Sequence, residues 1–91
     1  MLTLNSSVAR SKKITWKVIE GKGILLNPQE AEIIQLDEVG LEIWNSIGIK
    51  RKISEIIDHI VTTFQVSKRR ATKDVLGFLK KLQGFGVIKE V

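Results

Sequence analysis

Cysteine is absent from the 91 residues, tyrosine is absent too, and histidine occurs once. Without cysteine the chain can form no disulfide, no thiolate metal site and no thiol nucleophile. The single imidazole, His59, has no second histidine with which to bind a metal, and we predict that it is a surface residue.

Motifs of catalysis are missing as well. The sequence contains no HExxH, no GxSxG and no glycine-rich phosphate loop. Glu30 and Glu32 are two apart on a predicted strand and could cooperate as acid and base, but no other residue supports that reaction. We therefore predict that the chain is not an enzyme and holds no metal, nucleotide or other cofactor.

Long apolar runs are also lacking. Residues 1–7 do not combine a basic start with an apolar run, as a secretory signal does, and no stretch approaches the roughly 20 apolar residues of a membrane span. These absences predict a cytoplasmic protein without membrane association. A length of 91 residues with 43% hydrophobic content predicts one domain over residues 1–91, with residues 1–12 loosely ordered.

Acidic residues are scarce in the second half of the chain. Residues 1–50 carry six Lys or Arg and six acidic residues, whereas residues 51–91 carry nine and four. The net charge of +5 therefore lies entirely in the C-terminal part. This asymmetry indicates an anionic partner, either nucleic acid or an acidic peptide, or else a solvated basic face that maintains solubility.

The N-terminal half contains period-two patterns typical of strands. Ile14, Trp16 and Val18 alternate with polar residues and predict a half-buried strand over 14–20. Gly21–Gly23 is the predicted turn into a short strand over 24–26, and residues 27–30 (Asn-Pro-Gln-Glu) form a predicted type I turn. A third strand is predicted over 31–36, which completes an antiparallel meander.

The C-terminal half contains helical periodicity. Asp37 is the predicted N-cap of a helix that ends at Ile47, and Gly48 stops it. A second helix begins near Ser54 and carries an apolar stripe from Ile53 to Phe64. Ser67 is a candidate cap of a third helix, which runs to about Gln83. The predicted fold class is α+β, a three-stranded antiparallel sheet followed by three helices in a winged helix-turn-helix-like arrangement.

A three-stranded meander has two unpaired edges, and an unpaired edge can accept a strand from another chain. We expect the N-terminal segment to shield the edge of the first predicted strand. The third predicted strand keeps its outer edge free, and the third helix would form the other wall of a groove. Candidate contacts on that helix, each of which has the alternative of being an ordinary exposed position, are Arg70, Lys73, Asp74, Gly77 and Lys81.

Nucleic-acid binding is the main alternative. The second and third helices resemble a helix-turn-helix, and basic residues cluster in the first turns of the third helix. However, the strands precede the helices, only residues 87–91 remain for a wing, and few aromatic residues are present to stack on bases.

Three segments together resemble the PqqD-like family. Residues 33–44 (IIQLDEVGLEIW) are similar to its Leu-Asn-x-x-Gly-x-x-Ile-Trp signature, residues 53–57 to the start of its second helix, and residues 74–88 to its closing segment. Asp37 replaces the usual Asn and retains the ability to cap a helix. Lys52 departs from the Ser or Thr that often precedes the second helix, and a lysine side chain cannot accept the hydrogen bond of an N-cap there.

The resemblance implies a recognition element that binds the leader peptide of a ribosomally made, post-translationally modified peptide. It implies that the leader adds as a strand beside the third strand and packs on the third helix, and that the partner enzyme is a radical-SAM protein or a leader peptidase. The pathway stays open between pyrroloquinoline quinone, lasso-peptide and other products, as does the choice between monomer and homodimer. The contacts carried over by position are Glu32, Ile33, Ile34, Gln35 and Leu36 on the strand, and Arg70, Lys73, Asp74, Gly77 and Lys81 on the helix.

Overall fold

The computed structural model describes residues 1–29 and 31–91. In chain order its elements are β1 (Ser7–Arg10), β2 (Thr15–Ile19), β3 (Lys22–Asn27), β4 (Glu32–Leu36), α1 (Glu38–Ile47), β5 (Arg51–Lys52), α2 (Ile53–Phe64), α3 (Lys68–Gly84) and β6 (Ile88–Glu90). Strands β2, β3 and β4 form an antiparallel meander, and three helices follow it. The predicted α+β class is confirmed. A second antiparallel sheet, with strand order β5-β1-β6, was not predicted.

The turn between β2 and β3 lies at Glu20 and Gly21, and not at Gly21–Gly23 as the sequence suggested. Both residues have positive φ, 52° and 78°, which is the type I′ geometry that suits a two-residue hairpin. Gly23 is instead a strand residue that pairs with Val18 and Leu36. A Cβ at Gly23 would lie 2.9 Å from Leu41 Cδ1, so this glycine lets α1 approach the sheet closely.

The meander turns one face to the helices and the other to solvent. Leu25 and Leu36 on the inner face are buried. Trp16 and Val18 also belong to the inner face, but they remain 37% and 50% exposed, and β2 has no buried residue on either face, unlike the half-buried strand that was predicted. The cause is that β2 is an edge strand, so it has neighbours on one side only.

The predicted caps of α1 and α3 are confirmed. The Asp37 carboxylate accepts a hydrogen bond from Gly40 N at 2.7 Å, and the Ser67 hydroxyl accepts one from Arg70 N at 3.1 Å. Helix α2 has no side-chain cap at Lys52. Its first amides, of Ile53 and Ser54, instead donate to backbone carbonyls of residues 6 and 4. The N-terminal segment thus satisfies donors that a helix start leaves open.

The prediction that residues 1–12 are loosely ordered is wrong for β1. This strand is central in the second sheet, between β5 and β6, and Val8 is fully buried. The prediction that this segment shields the first strand of the meander is wrong for the same reason, since β1 pairs elsewhere. The partners of β1 lie roughly 40 to 80 residues away in the sequence, where a local pattern cannot show them.

A single hydrophobic cluster runs from Leu2 to Ile88 and includes residues of both sheets and all three helices. Arg10 links β1 to it in an unusual way. Its guanidinium carbon lies 4.9 Å from the ring centroid of Trp16 and 4.7 Å from that of Trp44, and its Nη2 donates to Trp44 O at 2.7 Å. Partial burial lowers the pKa of Arg10, which as a guanidinium stays charged. This stack fastens β1, β2 and α1 to one another.

Candidate functional site

The outer edge of β4 is unpaired. In the meander β4 pairs with β3 on one side, and within residues 1–29 and 31–91 no strand pairs with its other side. In an antiparallel strand alternate residues direct their N–H and C=O groups to opposite edges. The outer edge of β4 therefore offers backbone donors and acceptors to solvent or to an added strand.

A cleft of about 600 Å³ lies directly beside this edge, between β4 and the C-terminal half of α3. Its apolar part is formed by Ile34, by the buried Leu82 and by the half-buried rings of Phe78 and Phe85. Its volume falls within the range of ligand-binding clefts. The lining residues are Glu32, Ile33, Ile34, Gln35, Asp37, Phe78, Lys81, Leu82 and Phe85.

The spacing along α3 explains why one helix serves both the core and the cleft. Ala71, Val75 and Leu79 are buried in the core, and Leu82 continues that stripe. Phe78 lies beside the stripe, one turn before Leu82, and Phe85, the residue that follows α3, lies one turn after Leu82. Their rings are consequently half-buried, with one side against the core and the other toward the cleft.

Two residues outside α3 shape the cleft. A Cβ at Gly40 would lie 3.0 Å from Phe78 Cζ, so the glycine in α1 makes room for that ring. Asn27, which is 5% exposed, donates from Nδ2 to Phe85 O at 3.0 Å and accepts at Oδ1 from Gln29 N at 3.1 Å. Asn27 therefore ties the turn after β3 to the end of α3. The sequence marked Asn27 only as a turn residue, and nothing local could have indicated its second partner.

The cleft continues along α3 toward its N-terminus. A depression of about 240 Å³ shares Asp37 and Phe78 with the cleft and extends to Asp74. A further depression shares Asp74 and reaches Arg70 and Lys73. Acidic side chains thus lie near the middle of this path, and basic side chains lie at its end.

The predicted site residues occupy different parts of this path. Glu32, Ile33, Ile34, Gln35 and Lys81 line the cleft. Leu36 belongs to β4, but its side chain is buried in the core, so only its backbone can contact a guest. Peptide contact by these residues stays a prediction.

The remaining predicted helix residues lie further along α3. Arg70, Lys73 and Asp74 line the outlying depressions. Gly77 is exposed, and a Cβ added there would meet nothing within 4 Å. Contact of these four residues with a peptide likewise stays a prediction.

Other candidate chemistry lies elsewhere or outside the described residues. His59 Nε2 lies 2.6 Å from Glu42 Oε1, which joins α2 to α1 away from the cleft. Within the described part of the chain, no group of three or more His, Cys, Asp or Glu side chains is placed to hold a metal ion, and no helix has the length and apolarity to cross a membrane. Glu30 lies outside the described residues, and so does the suggested pair of Glu30 with Glu32.

Comparison with known proteins gives two matches. The family model described as coenzyme PQQ synthesis protein D (PqqD) matches residues 22–88, a range that contains β3, β4 and all three helices. No curated protein matches the chain. A solved structure, TbiB1 in complex with the TbiA(beta) leader peptide, is similar with a TM-score of 0.80 and 25% identity, over 89% of this chain and 94% of that chain. Since the family model covers most of the chain and the whole cleft, this protein belongs to the PqqD family.

Proposed function

We propose that this protein binds the leader segment of a ribosomally made precursor peptide as an added strand on β4 and presents that peptide to a modifying enzyme. The observation that carries the proposal is the unpaired edge of β4 directly beside an apolar cleft on α3. The solved relative in complex with a leader peptide supports it, as does membership in the PqqD family.

The geometry favours β4 over the other free edge of the meander. Strand addition combines main-chain hydrogen bonds with apolar side chains that enter adjacent clefts. Beside β4 the rings of Phe78 and Phe85 provide such a surface. Edge strand β2 carries Lys17 at its centre, and a lysine in that position is a common means of preventing strand pairing.

The charge of α3 indicates the composition of the guest. This helix carries six basic residues and one acidic residue, Asp74, whereas the rest of the chain is balanced. The one basic residue that lines the cleft, Lys81, forms no ion pair among the described residues. Since Glu32 and Asp37 also line the cleft, the acidic residues of a complementary leader peptide would lie toward Lys81 and toward the basic first turns of α3 rather than beside these carboxylates.

The adaptor would act without a catalytic group. Binding the leader raises the effective concentration of the attached core peptide at the active site of an enzyme, such as a radical-SAM protein or a leader peptidase. The proposed role therefore requires no metal and no cofactor in this chain.

A matched pair of phenylalanine substitutions tests the cleft. Phe85 lines the cleft, whereas Phe64 lies at the end of α2; both rings are half-buried and packed on the core. We expect Phe85→Ala to weaken binding of a fluorescent leader peptide by about 10-fold or more, because a buried aromatic anchor contributes more than about 1.4 kcal/mol. Phe64→Ala should lose stability but retain affinity within about twofold. Equal affinity loss in both variants would contradict the proposal.

Nucleic-acid binding is the second candidate, and the exposed basic residues in the first turns of α3 favour it. Titration of labelled duplex DNA at two salt concentrations separates the two functions. DNA affinity that falls steeply with salt and is lost on charge reversal of Arg70 and Lys73 would favour this alternative. Leader binding by strand addition should persist at the higher salt concentration.

A further inference from the structure

The solvent-facing side of the meander carries an exposed apolar patch that the core does not use. The strand registers place three rows of residues on this face: Thr15, Leu26 and Ile33; Lys17, Ile24 and Gln35; Ile19 and Lys22. Ile19, Leu26 and Ile33 are 46%, 38% and 69% exposed. Leu26 and Ile33 are direct cross-strand neighbours, so the apolar surface is continuous from β3 to the β4 edge.

Exposed apolar patches rimmed by polar residues mark interaction surfaces. We propose that this outer-face patch, formed by Ile19, Ile24, Leu26 and Ile33, is the docking surface for the enzyme that acts on the bound peptide. The inference rests on the proposed function and deepens it, since it assigns the adaptor its second surface.

Continuity with the leader site is the first argument for this occupant. β4 supplies both the edge on which the leader would pair and Ile33 of the outer-face patch. In an added strand, alternate side chains point to the same face as Ile33 and Gln35. A protein that docks there would contact adaptor and leader together, so the loaded complex would present a larger surface than the empty adaptor.

Charge is the second argument, and it separates an enzyme from a second copy of the chain. Among the eight residues that the register places on this face, Lys17 and Lys22 are basic and none is acidic. Two copies packed face to face would bury these lysines without an acidic partner from the same face of the other copy, which is unfavourable. The partner surface that fits is apolar with an acidic rim.

The test uses a double variant, Ile19→Thr with Leu26→Thr, and a matched control, Val18→Thr. Val18 is adjacent to Ile19 on β2 and similarly exposed, but it points to the other face. None of the three residues lines the leader cleft. Threonine is a residue that favours β-strands, so the variants should fold. The probes are a synthetic peptide with the leader sequence of the precursor and the purified enzyme that modifies that precursor.

We expect the double variant to bind the leader within about twofold of the unsubstituted chain but to bind the enzyme about 10-fold or more weakly, as for the loss of two interface anchors. Val18→Thr should leave both affinities unchanged. Unchanged enzyme affinity in the double variant would overturn this inference and leave the proposed function standing. This inference would also be overturned if sedimentation shows that the unsubstituted chain forms a dimer and that the double variant does not. Failure of the unsubstituted chain to bind the leader would contradict the proposed function itself, and this inference with it.

Discussion

Asn27 does not line the cleft, but it holds the backbone of Phe85, which does. The side chain is nearly inaccessible and uses both ends of its amide, one for its own turn and one for the carbonyl of Phe85. Since the ring of Phe85 lines the cleft, the position of that wall depends on a hydrogen bond made by a residue that no guest peptide would touch. Asn27 is in this sense a positioning residue.

Replacing Asn27 with Asp tests this role. The carboxylate keeps the acceptor for Gln29 N but loses the donor to Phe85 O and places a negative charge beside that carbonyl. We expect a loss of about 1–3 kcal/mol in the free energy of unfolding, because a partly buried carbonyl loses its donor and faces a negative charge, together with weaker leader binding. Urea denaturation and peptide titration measure the two effects. The matched control is Asn45→Asp, an exposed position on α1, which should change stability by about 0.5 kcal/mol or less. Equal losses in the two variants would refute the assigned role.

Two glycines in regular elements have opposite surroundings: Gly23 in β3 is closely packed, whereas Gly77 in α3 faces open space. A Cβ at Gly23 in β3 would collide with Leu41 and Leu36, whereas a Cβ at Gly77 in α3 would meet open space. The close approach of α1 to the meander depends on the first glycine, and the helical stability of α3 would improve without the second.

Alanine at each glycine should therefore have opposite effects. Gly23→Ala should destabilise the fold by about 1–3 kcal/mol through overpacking. Gly77→Ala should stabilise it by up to about 1 kcal/mol, because alanine is the better helix former. If the leader backbone passes over Gly77, the same variant should bind the leader more weakly although it is more stable. Thermal unfolding and peptide titration provide both readouts; destabilisation by Gly77→Ala would show that the helix surface there is not open.

Elements defined by local chemistry could be predicted from the sequence. Asp37 and Ser67 mark their helix starts, and the period of the apolar residues distinguishes strands from helices. The second sheet could not be predicted, because its three short strands pair only across long separations. For the same reason the cap of α2 was not visible: its acceptors are carbonyls of the N-terminal segment rather than a side chain before Ile53.

The candidate site was predicted in part. The edge of β4 follows from the order of the strands and was visible in the sequence, as was Lys81 on α3. Phe78 and Phe85 were missed as cleft residues because an apolar residue at helical spacing is equally consistent with the core. Only the packing shows that their rings are half-buried and reach the cleft.

At the scale of the whole molecule, the fold separates binding surfaces from the surfaces that hold it together. The second sheet, the Arg10 stack and the cap of α2 fix the N-terminal segment to the core, and no residue of 1–12 lines the cleft beside β4. The basic charge is concentrated on α3, where it can attract an acidic guest to the neighbouring cleft. The outer face of the meander remains available for a second partner.

Amide hydrogen exchange of β4, followed by NMR with and without the leader peptide, reports whether the leader pairs with this strand. If the leader adds as a strand, every second amide of Glu32–Leu36 should exchange about 10-fold or more slowly in the complex, while amides of β2 keep their rates. Binding that leaves the exchange of β4 amides unchanged, or that protects β2 instead, would show that the leader does not add to β4.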